Sequence, residues 1–252
     1  MSRAGAGALL ITGGGRGIGA ATATLGAARG WRVCFSYARD ETAAAEAVRA
    51  IEAAGGQALA VRSDVRREAE IVAMFDAAER AFGPVTGLVN NAGITGRIGP
   101  IVDAQPDMIR EVVEVNVTGA ILVAREAVKR MSTARGGQGG AIVNVSSGAA
   151  TLGSPGEYVH YAASKGAIDT FTLGLAREVA REGIRVNAVA PGLILTDIHG
   201  SGGEPGRPER MAPGIPIARP GAPEEVAEPI LFLLSPAASY ITGAVLRVAG
   251  GR

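Results

Sequence analysis

The sequence predicts a doubly wound α/β fold, in which a parallel sheet of about seven strands carries helices on both faces. Three observations predict it. Short apolar runs alternate along the chain with longer segments rich in Ala, Glu and Arg. The runs do not alternate between apolar and polar residues, which is typical of strands buried on both faces. The first run passes through a glycine cluster directly into a helical segment, as the first strand and helix of such folds do.

The first half of the chain predicts strands joined by helices in strict alternation. The strands are short and apolar, and we assign them to Ala8–Thr12, Trp31–Tyr37, Ala58–Val61 and Gly87–Asn90. The segments between them are rich in Ala, a strong helix former, and we assign helices to Ile18–Arg29, Glu41–Ala54 and Glu68–Phe82. Asp40 and Glu41 mark the start of the second helix, because acidic residues there complement the helix dipole.

The second half repeats this rhythm. We predict helices near Asp107–Met131, at Val159–Arg181 and near Pro223–Leu234, and strands at Ala141–Ser146, Arg185–Ala190 and Ala244–Val248. A stretch rich in Gly and Pro, Gly200–Pro216, is too long for an ordinary connection. We interpret it as a mobile cover over a site, with a disordered insertion as the alternative. The sequence thus predicts a single domain over residues 1–252 with a substrate lid near 193–216.

Composition excludes several classes of function. The formal net charge of +1 and the lack of a basic stripe argue against a nucleic-acid partner. A single cysteine, Cys34, excludes an internal disulfide, and with His160 and His199 as the only histidines we expect no metal site. The apolar run at the start is too short for a signal peptide or a membrane span, and no later run reaches about 18 residues. We therefore expect a cytoplasmic protein without a membrane partner.

The glycine cluster Thr12–Gly19 predicts a Rossmann-type site for a dinucleotide. Glycines allow turns with positive φ and let the backbone approach a pyrophosphate, while the start of the following helix supplies amide donors. Its position between the first strand and the first helix makes the pattern more specific than a glycine-rich turn elsewhere. The predicted cofactor contacts in this cluster are Gly13, Gly15, Arg16, Gly17, Ile18 and Gly19.

The end of the second strand favours NADP(H) over NAD(H). Sites that prefer NAD usually place a carboxylate there to bind the ribose 2′-hydroxyl. Here the strand ends with Ser36, Tyr37, Ala38 and Arg39, without an acid. Arg16 and Arg39 are instead placed to bind a 2′-phosphate, with Ser36 beside them. NAD(H) remains the alternative cofactor.

Tyr161 and Lys165 are the strongest candidates for chemistry. They lie four residues apart on a predicted helix and so share one face. The chain has 23 Arg but only two Lys, Lys129 and Lys165, so chance is a poor explanation for the pair. The pKa of a free phenol is near 10, and we expect the ammonium group to lower the pKa of Tyr161. Tyr158 has Ala162 in the corresponding position and lacks such a partner.

These features resemble the short-chain dehydrogenase/reductase family over essentially the whole chain. The resemblance rests on TGGGRGIG at 12–19, Asp64-Val65, NNAG at 90–93, Asn116, Ser146-Ser147, YAASK at 161–165 and Pro191-Gly192. Several stretches are also similar to bacterial oxidoreductases of the glucose 1-dehydrogenase type. The resemblance implies hydride transfer between a nicotinamide cofactor and a carbonyl or secondary alcohol.

The resemblance also implies a role for individual residues. Tyr161 would move the proton, Ser147 would bind the substrate oxygen, Lys165 would tune Tyr161 and hold the nicotinamide ribose, and Asn116 would organise a water. The further cofactor contacts that it implies are Asp64, Val65, Asn90, Ala92, Gly93, Tyr161, Lys165, Pro191, Gly192, Ile194 and Thr196. Ser147 precedes Tyr161 by 14 residues, where 13 is the commoner spacing in the family, so Ser146 is an alternative to Ser147.

Three functions stay open at this point. The first is an NADP(H)-dependent carbonyl reductase or alcohol dehydrogenase, and the second is an NAD-linked sugar or polyol dehydrogenase. The third is a dinucleotide-binding regulator without chemistry, which the presence of Ser147, Tyr161 and Lys165 disfavours. The small residues Ala162, Ala163, Gly166, Ala167 and Gly174 give the Tyr161 helix faces that allow close helix packing. In the resembling family this helix pairs across a two-fold axis, and we expect a homotetramer.

Overall fold

The computed structural model describes residues 7–252, and at its centre lies one sheet of seven parallel strands. The strands are β1 (Ala8–Ile11), β2 (Arg32–Tyr37), β3 (Gln57–Arg62), β4 (Val85–Asn90), β5 (Gly140–Val145), β6 (Ile184–Pro191) and β7 (Val245–Val248). Their order across the sheet is β3-β2-β1-β4-β5-β6-β7. The predicted doubly wound fold is confirmed. The expectation that the chain starts without a signal peptide or membrane span falls partly on residues 1–6, outside the described range.

Helices cover both faces of this sheet. They are α1 (Gly17–Ala28), α2 (Glu41–Ala53), α3 (Glu68–Phe82), α4 (Pro106–Val113), α5 (Ala120–Met131), α6 (Ala149–Leu152), α7 (Val159–Val179), α8 (Ile198–Ser201), α9 (Arg207–Met211) and α10 (Pro223–Leu234). Short 3-10 turns lie at Ile101–Asp103, Thr133–Arg135, Ala180–Glu182, Ala212–Gly214 and Pro236–Ala238. Within residues 7–252, none of the helices has the length and apolar content needed to cross a membrane.

Strand β1 shows why the apolar runs become central strands. Its side chains point alternately to the two faces of the sheet, and every one is fully buried. Leu9 and Ile11 belong to the core on one face, whereas Ala8 and Leu10 belong to the core on the other. Burying each large apolar side chain contributes about 1.5–3 kcal/mol, so a polar residue at any of these positions is costly.

The chain reverses its direction of travel across the sheet at β1. From β1 it builds outward to β2 and β3, then returns to add β4 on the other side of β1. The loops that follow β1 and β4 therefore diverge and leave a crevice at the carboxyl ends of these strands. Ligands of doubly wound folds bind at such a point.

The predicted long helix near Asp107–Met131 is one continuous helix, but its winding changes in the middle. Residues Glu114–Gly119 form a π-helical segment between α4 and α5. The segment faces close neighbours on two sides: Asn116 bonds to the backbone of Ile94, and a Cβ on Gly119 would lie 2.8 Å from the Val65 side chain. Local π segments are frequent at functional sites. The predicted helix is present, and the structure adds the π-helical turn in its middle.

Candidate active site

The glycine loop after β1 is shaped by close contacts that leave no room for side chains. Gly13 has φ +66°, and its N–H donates to the Ser36 hydroxyl at 3.2 Å. A Cβ on Gly14 would lie 2.4 Å from Cβ of Phe35, and a Cβ on Gly19 would lie 2.3 Å from the Gly13 carbonyl oxygen. Since real Cβ atoms do not approach other atoms so closely, these positions require glycine. The predicted tight loop is present.

Two residues that the sequence analysis did not single out hold this loop against β4. The Thr12 hydroxyl accepts hydrogen bonds from the N–H groups of Asn91 and Ala92, both at 3.0 Å. The side-chain amide of Asn91 donates to the carbonyl oxygens of Thr12 and Gly13, both at 2.9 Å. Both residues lie inside quoted motifs, but their role depends on β1 and β4 being neighbours in the sheet. The loop is therefore fixed from both sides of the crevice.

The start of α1 suits the pyrophosphate of a dinucleotide. Its first turn, which includes Gly17, Ile18 and Gly19, has N–H groups without partners inside the helix and contains no acidic residue. Gly17 has φ +52°, and a Cβ there would lie 3.1 Å from Thr196. Free donors, a helix dipole and backbone without side chains together fit a bound diphosphate. A nicotinamide dinucleotide therefore fits the residues that are present.

The region after β2 has no free carboxylate at the strand end. Asp40 caps α2, its side chain accepting the Ala43 N–H at 3.0 Å, as the sequence predicts for a helix start. Arg16 is exposed, and Arg39 is exposed with only a distant carboxylate of Glu111 at 3.9 Å. Ser36 is buried beneath the glycine loop, where its hydroxyl accepts the Gly13 N–H, and its predicted contact with the cofactor stays a prediction.

Further predicted cofactor contacts lie after β3 and at the end of β4. Asp64 pairs with Arg66 at 2.6 Å, and the hydrogen bond from Arg66 is the main cause that lowers the pKa of Asp64. Val65 is buried against Gly119. Asn90 is also buried, and its amide donates to the Ala120 carbonyl oxygen at 2.7 Å, which joins β4 to α5. Asn90 thus contributes to the frame of the crevice more than to its surface.

Ala92, Gly93 and Asn116 form the wall between the glycine loop and α7. A Cβ on Gly93 would lie 3.2 Å from Asn116 Oδ1 and 3.4 Å from Lys165 Nζ, so a side chain there would crowd both groups. Asn116 Oδ1 accepts the Ile94 N–H, and its Nδ2 donates to the Ile94 carbonyl oxygen and to Ser164. The amide of Asn116 is therefore used within the protein. Its expected role in organising a water stays a prediction.

Tyr161, Lys165 and Ser147 come together at the carboxyl end of β5. Tyr161 and Lys165 are buried on one face of α7, with Lys165 Nζ 5.7 Å from the centre of the Tyr161 ring. Lys165 Nζ donates to the Val145 carbonyl oxygen at 2.7 Å. The Ser147 hydroxyl is hydrogen-bonded to the Tyr161 phenol. A tyrosine, a serine and a lysine thus share one buried corner of the crevice.

The pKa of Tyr161 moves in the direction opposite to the one expected from the sequence. Burial raises it to about 12, and the hydrogen bond with Ser147 offsets only part of this effect. Burial likewise lowers the pKa of Lys165 to about 8. The expectation that Lys165 lowers the pKa of Tyr161 is wrong for the protein alone, because desolvation dominates and Lys165 directs its ammonium group to Val145. Tyr161 is therefore a protonated phenol at neutral pH.

The structure distinguishes the neighbouring candidates from one another. Ser146 is buried, and its hydroxyl donates to the Lys165 carbonyl oxygen at 3.3 Å, away from the Tyr161 phenol. Ser147 is the serine placed beside Tyr161. Tyr158 packs edge-on against Tyr161, with ring centres 5.2 Å apart, and the cation over its own ring is the guanidinium of Arg207. It forms part of the wall around Tyr161.

The predicted contacts after β6 lie beside the glycine loop and Ser147. The Pro191 carbonyl oxygen accepts the Gly148 N–H at 2.7 Å, which ties the end of β6 to the segment after Ser147. Gly192 sits tightly against Ala249, since a Cβ there would lie 2.8 Å away. Ile194 is buried in the core, whereas Thr196 is partly exposed next to Gly17. Thr196 is thus the member of this group that is nearest to the start of α1.

The segment 193–216 contains α8, α9 and a 3-10 turn and contacts the loop before α7. Arg207 is buried, binds the Glu157 carboxylate at 2.6 Å, and stacks over the Tyr158 ring with its guanidinium carbon 5.0 Å from the ring centre. Arg210 binds the same carboxylate at 3.2 Å. Burial alone would raise the pKa of Glu157, but the two arginines bring it below its ordinary value. No spacing along the sequence predicts this group, because Glu157 and Arg207 are 50 residues apart.

A backbone contact joins the same segment to the loop after β4. The Ile98 N–H donates to the Gly202 carbonyl oxygen at 3.0 Å, and a Cβ on Gly202 would lie 3.1 Å from the Thr95 hydroxyl. The Gly99 N–H donates to the Glu157 carbonyl oxygen, which connects this loop to the one before α7.

Within residues 7–252 no group of His, Cys, Asp and Glu is arranged to hold a metal ion.

The chain is similar to known oxidoreductases over almost its full length. Residues 13–252 match the family described as enoyl-(acyl carrier protein) reductase. The uncharacterized oxidoreductase YgfF of Escherichia coli is 53% identical over 243 residues, which are 96% of this chain and 98% of that protein.

Two solved structures share the fold. A short-chain dehydrogenase of Burkholderia cenocepacia in complex with NADP has a TM-score of 0.90 and 34% identity, covering 99% of each chain. A 3-ketoacyl-(acyl-carrier-protein) reductase of Brucella melitensis complexed with NADH has a TM-score of 0.89 and 35% identity, covering 98% of each chain. The relatives thus include complexes with both nicotinamide cofactors.

Proposed function

The chain belongs to the short-chain dehydrogenase/reductase family, and from this premise we propose that it is an NADP(H)-preferring carbonyl reductase or alcohol dehydrogenase in which Tyr161 transfers the proton. As a member of the family it is an NAD(P)-dependent oxidoreductase of alcohol and carbonyl groups. The observation that carries the proposal is the buried phenol of Tyr161, hydrogen-bonded to Ser147 beside a buried lysine.

Tyr161 is suited to act as an acid in the reducing direction. Because its pKa is raised to about 12, the phenol keeps its proton throughout the neutral range. A carbonyl oxygen placed between Tyr161 and Ser147 would receive hydrogen bonds from both hydroxyls, which stabilise the negative charge that develops on it. The Tyr161 proton then moves to that oxygen, and in the oxidising direction it returns from the alcohol. When bound, the dinucleotide supplies or accepts the hydride.

The surroundings of β2 support a preference for NADP(H). The first carboxylate after the strand, Asp40, is used as a helix cap, and the next, Glu41, lies in the first turn of α2. Arg16 and Arg39 are exposed on either side of this region. Guanidinium groups bind phosphate through paired N–H donors, so a 2′-phosphate would be stabilised here more than a 2′-hydroxyl. NAD(H) is the second candidate, since the Brucella melitensis relative is complexed with NADH.

The segment 193–216 is proposed as the substrate lid of the single domain. Arg207 binds Glu157 and stacks on Tyr158, which in turn packs against Tyr161. The segment also bonds to the loop after β4 through Gly202. A substrate between these loops would be enclosed on three sides next to the phenol, which excludes water and places the carbonyl.

A homotetramer is the proposed assembly. On α7, the small residues Ala163, Ala167 and Gly174 are exposed, and a Cβ on Gly174 would meet no atom of the same chain within 4 Å. A second apolar area lies on α10 and β7, where Phe232 and Leu246 are exposed. A tetramer with two-fold axes needs two different interfaces, and these two areas would supply them. Light scattering on the purified protein tests this, and a stable monomer would contradict it.

The proposed reaction is tested with a panel of carbonyl compounds and alcohols assayed with both cofactors. We expect NADPH-linked reduction of at least one carbonyl class, with a higher kcat/KM for NADPH than for NADH. The variants Arg16→Ala and Arg39→Ala should weaken NADPH binding and leave NADH binding nearly unchanged. An equal loss for both cofactors would contradict the assignment of these arginines to the 2′-phosphate. A higher kcat/KM for NADH with sugars or polyols would favour the second candidate.

A further inference from the structure

A row of polar residues lies on the face of α7 that packs against β5, directly below Tyr161. Lys165, Asp169 and Thr172 follow one another at spacings of four and three residues, so they share one helix face. Asn144 lies on β5 and Ser146 directly follows the strand, so the two residues, two positions apart, are expected to point to the same side of the sheet. Asn144 donates to the Thr172 hydroxyl at 2.8 Å, and Ser146 donates to the Lys165 carbonyl oxygen at 3.3 Å. Asp169 lies in the middle of this row.

Neither charged group in the row is fully compensated by hydrogen bonds. Lys165 is buried, and its Nζ donates to one carbonyl oxygen, that of Val145. The Asp169 carboxylate is half-buried, and its Oδ1 is buried without a hydrogen-bond partner. An unpaired charge in such an environment is costly, and two opposite charges one helical turn apart reduce that cost for each other.

The two charges act on each other. Burial lowers the pKa of Lys165, and the negative charge of Asp169 opposes this effect. Burial raises the pKa of Asp169, while the Ser146 hydroxyl and the charge of Lys165 oppose that effect. The other groups around Lys165 are neutral: Val145 on β5, Gly93 after β4 with Asn116 beside it, and the protonated phenol of Tyr161, whose ring centre lies 5.7 Å from Nζ. Asp169 is thus the counter-charge of Lys165 within the described residues.

We propose that Asp169 is a positioning residue for the reaction: its carboxylate serves as the counter-ion of Lys165 and, with Ser146, keeps the ammonium group charged and in place beside Tyr161. The role of Asp169 in turnover rests on the proposed function. The electrostatic pairing itself can be measured without any bound cofactor. A purely structural role for Asp169 would affect stability but leave the titration of Lys165 unchanged.

The two lysines of the chain make the pairing directly measurable. Protein labelled with ¹³C at the ε-carbon of lysine gives two side-chain signals, from Lys129 and Lys165. The variant Lys129→Arg assigns them. We expect the Lys165 signal of the wild-type protein to titrate near pH 8, and that of Asp169→Asn to titrate about one pH unit lower, as for the loss of a nearby opposite charge. The Lys129 signal should be the same in both proteins.

The matched control is Glu178→Gln, which removes an exposed acid from the same helix. It should leave the Lys165 titration at the wild-type value, and Asp169→Glu should keep the midpoint close to that value. If Asp169→Asn does not fold, the smaller Asp169→Ser replaces it, with the same lowered midpoint expected. An unchanged Lys165 midpoint in the folded neutral variant overturns the proposal.

Activity separates this inference from the proposed function. In an active enzyme, Asp169→Asn should lose more turnover at pH 8 than at pH 6, because more of Lys165 is deprotonated at the higher pH. A pH profile of the same shape as the wild type would contradict the positioning role. If the wild-type protein reduces no carbonyl compound but the Lys165 midpoint still falls in Asp169→Asn, the proposed function fails and the pairing stands.

Discussion

The two sides of the crevice are held together by different kinds of contact. On the cofactor side, uncharged groups fix the glycine loop: Thr12, Ser36 and Asn91 bond to backbone atoms, and side chains are excluded at Gly14 and Gly19. On the lid side, Glu157, Arg207 and Arg210 bond to one another through charged side chains. We therefore expect the cofactor side to be rigid and the proposed lid to respond to changes of single charges.

Replacement of Tyr161 should abolish proton transfer without disturbing the contacts on either side of the crevice. Tyr161→Phe removes the transferable proton and the hydrogen bond to Ser147 but keeps the buried ring. We expect kcat to fall by about 10²–10⁴-fold, with NADPH affinity nearly unchanged. Steady-state rates together with fluorescence titration of NADPH check this. Tyr158→Phe is the matched control and should retain turnover. Wild-type turnover in Tyr161→Phe would remove the phenol from the mechanism.

A side chain in the glycine loop should impair only the cofactor side. In Gly19→Ala the new Cβ would lie 2.3 Å from the Gly13 carbonyl oxygen, so the loop must shift. Overpacking of this kind costs about 1–3 kcal/mol, and we expect a lower thermal midpoint and NADPH binding weakened by about tenfold or more. Gly15→Ala is the control for the apo protein, because its Cβ would sit 3.6 Å from Ala44. Equal thermal midpoints for the two variants would show that the loop is not rigid.

Loss of one carboxylate should loosen only the lid side. Glu157→Gln leaves the buried Arg207 without its counter-ion, and a hydrogen bond between charged groups is worth about 1.5–3 kcal/mol. We expect KM for the carbonyl substrate to rise about tenfold, faster hydrogen exchange over 198–214, and little change in NADPH affinity. Glu209→Gln removes an exposed acid from the same lid as a control. If exchange over 198–214 is unaltered in Glu157→Gln, the ion pairs do not hold the lid.

The smallest expected effect is the pH dependence of cofactor binding. Because the pKa of Lys165 is lowered to about 8, its positive charge is present at pH 7 and lost as the pH rises through 8. We therefore expect NADPH affinity to fall a few-fold between pH 7 and 9. Lys165→Met should bind more weakly with no such fall, whereas Lys129→Met should behave as the wild type. A pH dependence that persists in Lys165→Met would assign it to another group.

The fold was predictable because its signals are local. Apolar runs such as Ala8–Ile11 are buried on both faces, and that burial requires the unbroken apolar pattern that the sequence displays. The glycine loop was predictable for a related reason, since close approach at Gly19 admits no other residue. In both places the backbone geometry restricts which residue types can occupy the position.

The rest depends on contacts between distant segments. Burial of Ser36, the π segment around Asn116 and the bonds of Glu157 to Arg207 all follow from packing that no spacing along the chain encodes. The direction of the Tyr161 pKa shift was missed because the sequence reveals the lysine four residues away but not the depth of burial, and desolvation is the larger effect here. The roles of Thr12 and Asn91 could not be predicted without knowing that β1 and β4 are neighbours in the sheet.

In the proposed reaction, NADPH bound in the crevice gives a hydride to a carbonyl carbon while Tyr161 gives up its proton. NADPH carrying deuterium at both C4 positions of the nicotinamide ring, incubated with a carbonyl compound that the wild-type protein reduces, is the decisive reagent. Mass spectrometry of the alcohol should find one deuterium on the former carbonyl carbon for each NADP formed, and Tyr161→Phe should bind the cofactor yet yield almost no labelled product. Tight NADPH binding without transfer of deuterium to any compound of the carbonyl panel would contradict the proposed hydride transfer.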